Sequence, residues 1–168
     1  MYTFRTFPDG KELKKEFGKI FILGKLKEDL ERFWRIILEQ KPTIILGVAL
    51  SNSEHSYFEP KTVNQFNRTA KITKEGKAEL SLFVPQSACL FVKETTFRIS
   101  AKATSSFCNY SMYGVKSFLE REKLTIPFTF IHIKKEDIND LNKIFTEQQS
   151  YKSKETFEQR VALLPDQQ

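Results

Sequence analysis

Thr43-Ile44-Ile45-Leu46-Gly47-Val48-Ala49 is an unbroken apolar run rich in β-branched residues. A strand with one wet face alternates apolar and polar residues. This one does not, so it belongs to a sheet covered on both faces, the usual setting of parallel strands in α/β proteins. The preceding residues agree. Leu26, Leu30, Phe33, Trp34, Ile37 and Leu38 recur at helical spacing between Leu26 and Gln40, and Lys27, Glu28, Glu31, Arg32 and Glu39 occupy the opposite face. Lys41-Pro42 stops the helix. A short β-type run, Lys19 to Leu23, lies just before it. Strand, helix and strand in that order predict a right-handed βαβ unit.

Further along, a strand is expected near Thr62 to Asn67, and Lys74-Glu75-Gly76-Lys77 reads as an exposed hairpin tip. Phe97 to Ala101 suits another short strand. Cys108, Met112, Val115 and Leu119 fall on one face of a helix running from Cys108 to Lys123. Pro127 to Ile133 is a strand, and Ile138, Leu141, Ile144 and Phe145 mark a last core helix. Residues 148–168 form a polar tail, with Val161-Ala162-Leu163-Leu164 as a docking segment. There is no internal repeat and no interdomain linker. A chain of 168 residues supports one core. The expectation is a single α/β domain over 1–168: a three-layer sandwich whose mostly parallel, twisted sheet is flanked by helices.

The net charge of +6 is spread rather than concentrated, because Lys and Arg alternate with Glu and Asp, as in Lys11-Glu12-Leu13-Lys14-Lys15-Glu16. That pattern is a solvated helical face. With no zinc-finger spacing, Arg-aromatic repeat or RNA-binding consensus, nucleic acid is not an expected partner. The apolar runs are too short to span a bilayer, so no membrane association is expected. Two cysteines and no apolar leader at Met1 point to a reducing, cytoplasmic setting. The Asn67-Arg68-Thr69 sequon would then not be glycosylated.

One of the two cysteines, Cys108, stands where a helix begins, and one of the two histidines, His132, ends an apolar strand. In parallel sheets sites gather at the carboxyl ends of strands. Both residues are expected at that edge, giving a thiol nucleophile and a general base. A helix N-terminus should also lower the thiol pKa. Taken singly, each residue has a plainer reading, as an inert helix-face cysteine and a satisfied core histidine. Cys89 suits the inert role, and His55 sits in a polar loop.

Cys108-Asn109 followed by Tyr113-Gly114, with Ser100 and Ala103 upstream and Phe130-Ile131-His132 downstream, resembles the pyroglutamyl peptidase I (pyrrolidone-carboxylate peptidase) family. The nucleophile segment of that family has the form S-x-x-A-G-x-F/Y-x-C-N-x-x-x-Y, and its base lies in an F-I-H strand. Gly24-Lys25, the Leu26 helix and Lys41-Pro42-Thr43 to Gly47 are similar to its upstream half. The likeness spans roughly residues 18–145, and is poor from about 68 to 95. It implies a cysteine omega-peptidase that hydrolyses the bond after an N-terminal pyroglutamate, with no metal and no cofactor, commonly as a dimer or tetramer. Cys108 is the implied nucleophile, His132 the base, and Glu59 the carboxylate that orients the base. Glu59, five residues before Asn64, has the family's spacing and is preferred to Glu54.

The pattern also departs from the family. Phe4 and Phe7 keep the aromatic spacing of an opening loop that lines the pyroglutamate pocket in the family, but its glycines and its Glu-Pro pair are absent. The link from there to the Lys19 strand is short, as if all or part of a helix were missing. Leu50 and Asn52 stand in a loop that is glycine-rich in the family, Thr104 replaces a glycine, and Phe107 stands where a smaller aliphatic is usual. Phe4, Phe7 and Phe107 are the implied substrate-lining residues. The alternative is a weak or inactive relative that binds peptides or proteins.

Overall fold

In the computed structural model the described residues are 1–8, 10–67, 70–85, 97–103, 106–141 and 144–145. Six strands form one sheet in the order β2-β1-β3-β8-β4-β7. They are β1 (Tyr2–Phe4), β2 (Phe21–Leu23), β3 (Ile45–Leu50), β4 (Tyr57–Phe58), β7 (Arg98–Ile99) and β8 (Phe128–Ile133). Every neighbouring pair is parallel except β4 with β8. A second, antiparallel pair joins β5 (Lys61–Val63) to β6 (Glu79–Ser81). The main helices are α1 (Gly10–Phe17), α2 (Leu26–Gln40) and α3 (Phe107–Arg121).

The pleat of β3 and β8 sorts their side chains into two cores, as expected for strands covered on both faces. Ile45, Ala49, Phe128 and Phe130 pack with Leu30, Phe33 and Ile37 of α2 and Met112, Val115 and Phe118 of α3. Leu46, Val48, Ile131 and Ile133 pack on the opposite side with Leu13 of α1 and with Ile138, Leu141 and Ile144. The sandwich therefore has three layers. Gly47 lies between the two aromatic residues that cross β3: a Cβ there would lie 2.7 Å from the Tyr2 ring and would meet Phe130 as well. The glycine is what lets those rings close over the strand.

α2 keeps the bounds its periodicity predicts. The Asp29 carboxylate accepts from the Gly24 and Lys25 N–H groups at 2.8 and 2.7 Å, which holds its pKa below the ordinary carboxylate value and fixes the helix entry. At the other end Lys41 turns left-handed (φ 43°), its N–H donating to the Ile37 carbonyl at 2.9 Å. The expected βαβ unit is present as β2-α2-β3, but β1 lies between its two strands. The short link after Phe7 is not empty. It holds the eight-residue α1, whose Leu13 is fully buried.

The strand expected over Thr62 to Asn67 ends at Val63, and the one over Phe97 to Ala101 is limited to Arg98–Ile99. Lys74, Glu75 and Lys77 are exposed, as a hairpin tip should be. The tip is tied down by the Tyr113 hydroxyl, which donates to the Lys77 carbonyl at 2.7 Å. Cys89 and the tail 148–168 lie outside the described residues, as do Arg68 and Thr69 of the sequon.

Candidate active site

The register of β8 places His132 beside Ala49 of β3 and opposite Tyr57 of β4. Because side chains two apart share a face, His132 and Phe130 point toward the α3 side of the sheet, and so do Tyr57 and Glu59 across the ladder. The Glu59 N–H donates to the Phe130 carbonyl at 3.0 Å, which fixes its height. The result is an imidazole Nδ1 facing the Glu59 Oε1 at 3.5 Å, with Glu59 fully buried and His132 only 6% exposed. The Tyr57 ring stacks on the imidazole (centroids 4.7 Å apart, 23° between planes), and Phe130 meets it edge-on at 5.2 Å. These two rings fix the imidazole plane. Nδ1 faces the carboxylate, so Nε2 points to the other side.

Cys108 stands in the first turn of α3, after the extended cap residue Ser106. Three connections hold that turn. The Ser111 hydroxyl lies 2.8 Å from the Cys108 carbonyl and 3.2 Å from the Tyr2 hydroxyl. The Asn109 side chain is tied to β5: it accepts from the Thr62 hydroxyl (2.6 Å) and the Val63 N–H (3.0 Å), and donates to the Val63 and Gln65 carbonyls (2.9 and 2.7 Å). The segment leaving Glu59 is thus pinned to the helix turn that carries the thiol. Thiol and carboxylate are near enough for the charge on Glu59 to raise the Cys108 pKa.

The electrostatics differ from the expectation of a helix-activated thiolate. Burial pushes the Cys108 thiol up to about 11, and a hydrogen bond from Ser106 offsets this only in part. The dipole of one helix end contributes roughly half a charge at short range, and desolvation outweighs it here. Burial likewise raises Glu59 to about 7 and lowers His132 to about 4. The Ser100 hydroxyl pulls Glu59 back somewhat, but it donates to the Lys102 carbonyl at 2.8 Å, and among the described residues neither Glu59 oxygen nor His132 Nδ1 completes a hydrogen bond. Three unsatisfied buried polar atoms facing each other are costly. A contact of 3.5 Å here is one that substrate binding can tighten.

This pair has a testable signature in stability. Unfolded, the carboxyl and imidazole titrate near their ordinary values of 4.5 and 6.5. Between those pH values the unfolded pair holds one proton, on the imidazole, and the folded pair also holds one, on the carboxyl. Stability should therefore be nearly flat from pH 4.5 to 6.5 as far as these groups are concerned. Glu59→Gln leaves only the depressed histidine, so stability should then fall as pH drops from 6.5 toward 4. His132→Gln leaves only the raised glutamate, so stability should fall as pH rises from 4.5 toward 7. Each slope is bounded by about 1.4 kcal/mol per pH unit. Urea melts of the three proteins across pH 4–8 measure this, and parallel profiles would refute the opposite shifts of the two groups.

A cleft of about 510 Å³ opens beside the thiol, lined by Cys108 and by Phe4, Phe7 and Phe107. The three aromatic residues expected to line a pocket are thus brought together with the expected nucleophile. Their settings differ. Phe7 is buried in the α1-side core, Phe4 packs near Phe130 (6.4 Å), and Phe107 is 63% exposed with its ring edge-on to Phe66 at 5.5 Å. Ala49, the neighbour of His132, also lines the cleft. Leu50 and Asn52 do too, so the altered loop reaches the site. Tyr57 and the Asn109 clamp were not read from the sequence. Asn109 stood in the quoted motif without a role, and nothing local marks Tyr57. Among the described residues no group of three His, Cys, Asp or Glu side chains is placed to hold a metal ion, and no helix is long and apolar enough to cross a membrane.

These observations define an α/β sandwich that carries a thiol, an imidazole and a carboxylate at one end of its sheet, beside a cleft. No family model matches the sequence, and no curated protein does. Solved structures do match. The fold is that of the pyrrolidone carboxyl peptidases: the enzyme from Thermococcus litoralis superposes with a TM-score of 0.75 at 16% identity, over 92% of this chain and 94% of that one. Pyroglutamyl peptidase I from Bacillus amyloliquefaciens gives 0.69 at 19% identity, over 86% and 89%. A mutant pyrrolidone carboxyl peptidase from Pyrococcus furiosus gives 0.65 at 17% identity, over 97% and 98%.

Proposed function

We propose that this chain is a cysteine peptidase that removes an N-terminal pyroglutamate, with Cys108, His132 and Glu59 as its catalytic residues. The observation that carries the reading is the buried His132 Nδ1–Glu59 Oε1 contact, with Ala49, the β3 partner of His132, in the lining of the cleft that also holds Cys108. The fold shared with pyroglutamyl peptidases supports it. Because the thiol is held protonated, His132 Nε2 must take its proton as sulfur attacks the carbonyl carbon. Free N–H groups in the first turn of α3 would hold the oxyanion, each typically worth about 3 kcal/mol. The C–N bond then breaks as the imidazolium returns the proton to the leaving amine, and water hydrolyses the thioester by the same base. Glu59 must be ionised to accept from Nδ1–H. A protonated Glu59 would donate there instead and leave the hydrogen on Nε2, disabling the base.

The test is release of a fluorophore from a pyroglutamyl amide, with loss of activity in step with iodoacetamide labelling of Cys108. kcat/KM should climb through a pKa of about 7 as Glu59 ionises. The raised thiol pKa and the unclosed 3.5 Å contact favour a second reading, a peptide-binding relative without catalysis. That reading wins if pyroglutamyl peptides bind but none is cleaved at any pH from 5 to 9.

A further inference from the structure

The cleft beside Cys108 is lined largely by apolar side chains (Phe4, Phe7, Leu23, Leu26), and among the described residues of its lining one, Arg5, is charged. Among the described residues no carboxylate lines it. Arg5 follows directly on β1, and its N–H donates to the Leu23 carbonyl at 2.9 Å, so its backbone belongs to the sheet edge while its side chain is exposed. The guanidinium lies against Gly24, where a Cβ would come within 3.3 Å of Nε. The missing side chain at residue 24 is what leaves room for it. Asp29 is the acidic group whose titration feels Arg5, but the contribution is the smallest of those acting on it. Its oxygens are already taken, Oδ2 by the Gly24 and Lys25 N–H groups and Oδ1 by Arg32 at 3.5 Å. Among the described residues no carboxylate comes within 4.0 Å of the Arg5 guanidinium. Among the described residues a planar fork of donors is thus left without a carboxylate in a mostly apolar cleft whose lining also holds Cys108, Thr6 and Asn52.

We infer that this cleft takes an anionic ligand, and that the peptide presented to Cys108 bears a carboxylate within about one residue of the scissile carbonyl, held by Arg5. The inference rests on the proposed peptidase reading for its substrate, but not for its anion site. A guanidinium pairs with a carboxylate in a charge-assisted, often two-pronged hydrogen bond, which lysine or a neutral amide reproduces poorly. The preferred substrates are then pyroglutamyl peptides whose next residue is Asp or Glu.

Two measurements separate the anion site from the peptidase reading. The first needs no turnover. Iodoacetate and iodoacetamide alkylate the same thiolate, so the ratio of their rate constants cancels the thiol pKa and reports the surrounding charge. Arg5→Gln should lower the iodoacetate-to-iodoacetamide ratio about tenfold, Arg5→Lys should restore part of it, and 0.5 M salt should shrink the difference. An unchanged ratio in Arg5→Gln overturns the anion site. The second compares kcat/KM for pyroglutamyl-glutamate and pyroglutamyl-glutamine amides. The acidic peptide should lead by about tenfold, and Arg5→Gln should erase the lead. A falling alkylation ratio with no turnover of either peptide upholds the anion site and rejects the peptidase. Turnover with no acidic preference, together with an unmoved ratio, does the reverse.

Discussion

Cys108→Ala is expected to remove the proposed pyroglutamyl amidase activity, by about a thousandfold or more, while leaving the fold intact. The size follows from the chemistry left behind. Without the sulfur only water can attack, and the remaining binding and oxyanion groups sustain a small residue of the original rate. The fold should survive because the half-buried thiol has only a local hydrogen bond, to Ser106 at the cap of the same turn, and its backbone carbonyl, not its thiol, meets Ser111. Alanine is also a good residue for a helix turn, so the change in stability should stay within about 1 kcal/mol. Cys108→Ser should be nearly as inactive, since a hydroxyl is much harder to deprotonate than a thiol already raised to about 11. His132→Ala should lose a similar factor, and the double variant should be no worse than either single one, because the two act as a unit. Steady-state assays beside thermal melts decide the matter. Retention of a tenth of the activity in Cys108→Ala would remove this residue as nucleophile.

Different physical signals explain why parts of this molecule could be read from its sequence and parts could not. α2 was legible to the residue because its apolar stripe, its acidic first turn and Pro42 all act locally. β3 was legible because a strand buried on both faces must be apolar throughout. β1 and β4 were not. They are three and two residues long, and what makes them strands is the pairing of Tyr2 with Phe21 and Gly47, and of Tyr57 with His132. Such pairing lies outside any local window. The same holds for the site. That Cys108 and His132 belong to one end of the sheet follows from a strand end and a helix start. Glu59 was singled out only through its family resemblance, since a loop carboxylate before a proline carries no signal of its own. Its place beside the imidazole depends on the antiparallel register of β4. The thiol pKa was misread for a related reason: helix position is visible in sequence, whereas burial is a property of the finished core.

The Asn109 clamp offers the sharpest structural test, because the substitution that changes least in shape should harm most. The Asn109 side chain is fully buried and uses its whole hydrogen-bonding capacity, two donated and two accepted bonds, on residues 62–65. Asn109→Ala removes all four of these bonds and takes the acceptor from the Val63 N–H, although the Thr62 hydroxyl keeps the Asn109 backbone carbonyl at 3.2 Å and the Val63 carbonyl keeps the Gln65 N–H at 2.8 Å. At about 1 kcal/mol for each of the four bonds lost, offset in part by these remaining partners and by water, the loss should be about 3 kcal/mol. Asn109→Asp keeps the shape and both acceptors, but turns two donors into a second oxygen facing the Val63 and Gln65 carbonyls. Acceptor then meets acceptor, and a carboxyl must be buried either charged or protonated. Asp should therefore be worse than Ala at neutral pH and should recover as pH falls and the carboxyl regains a proton. Both variants should also slow the proposed reaction, because residues 60–65 lead from Glu59 to the clamp and α3 carries Cys108. Freed from each other, thiol and carboxylate lose their fixed spacing, and kcat should fall more than KM rises. Urea melts at pH 5 and 8 give the ranking. If Asn109→Asp were as stable as the parent at pH 8, the clamp would not be what holds this helix turn against β5.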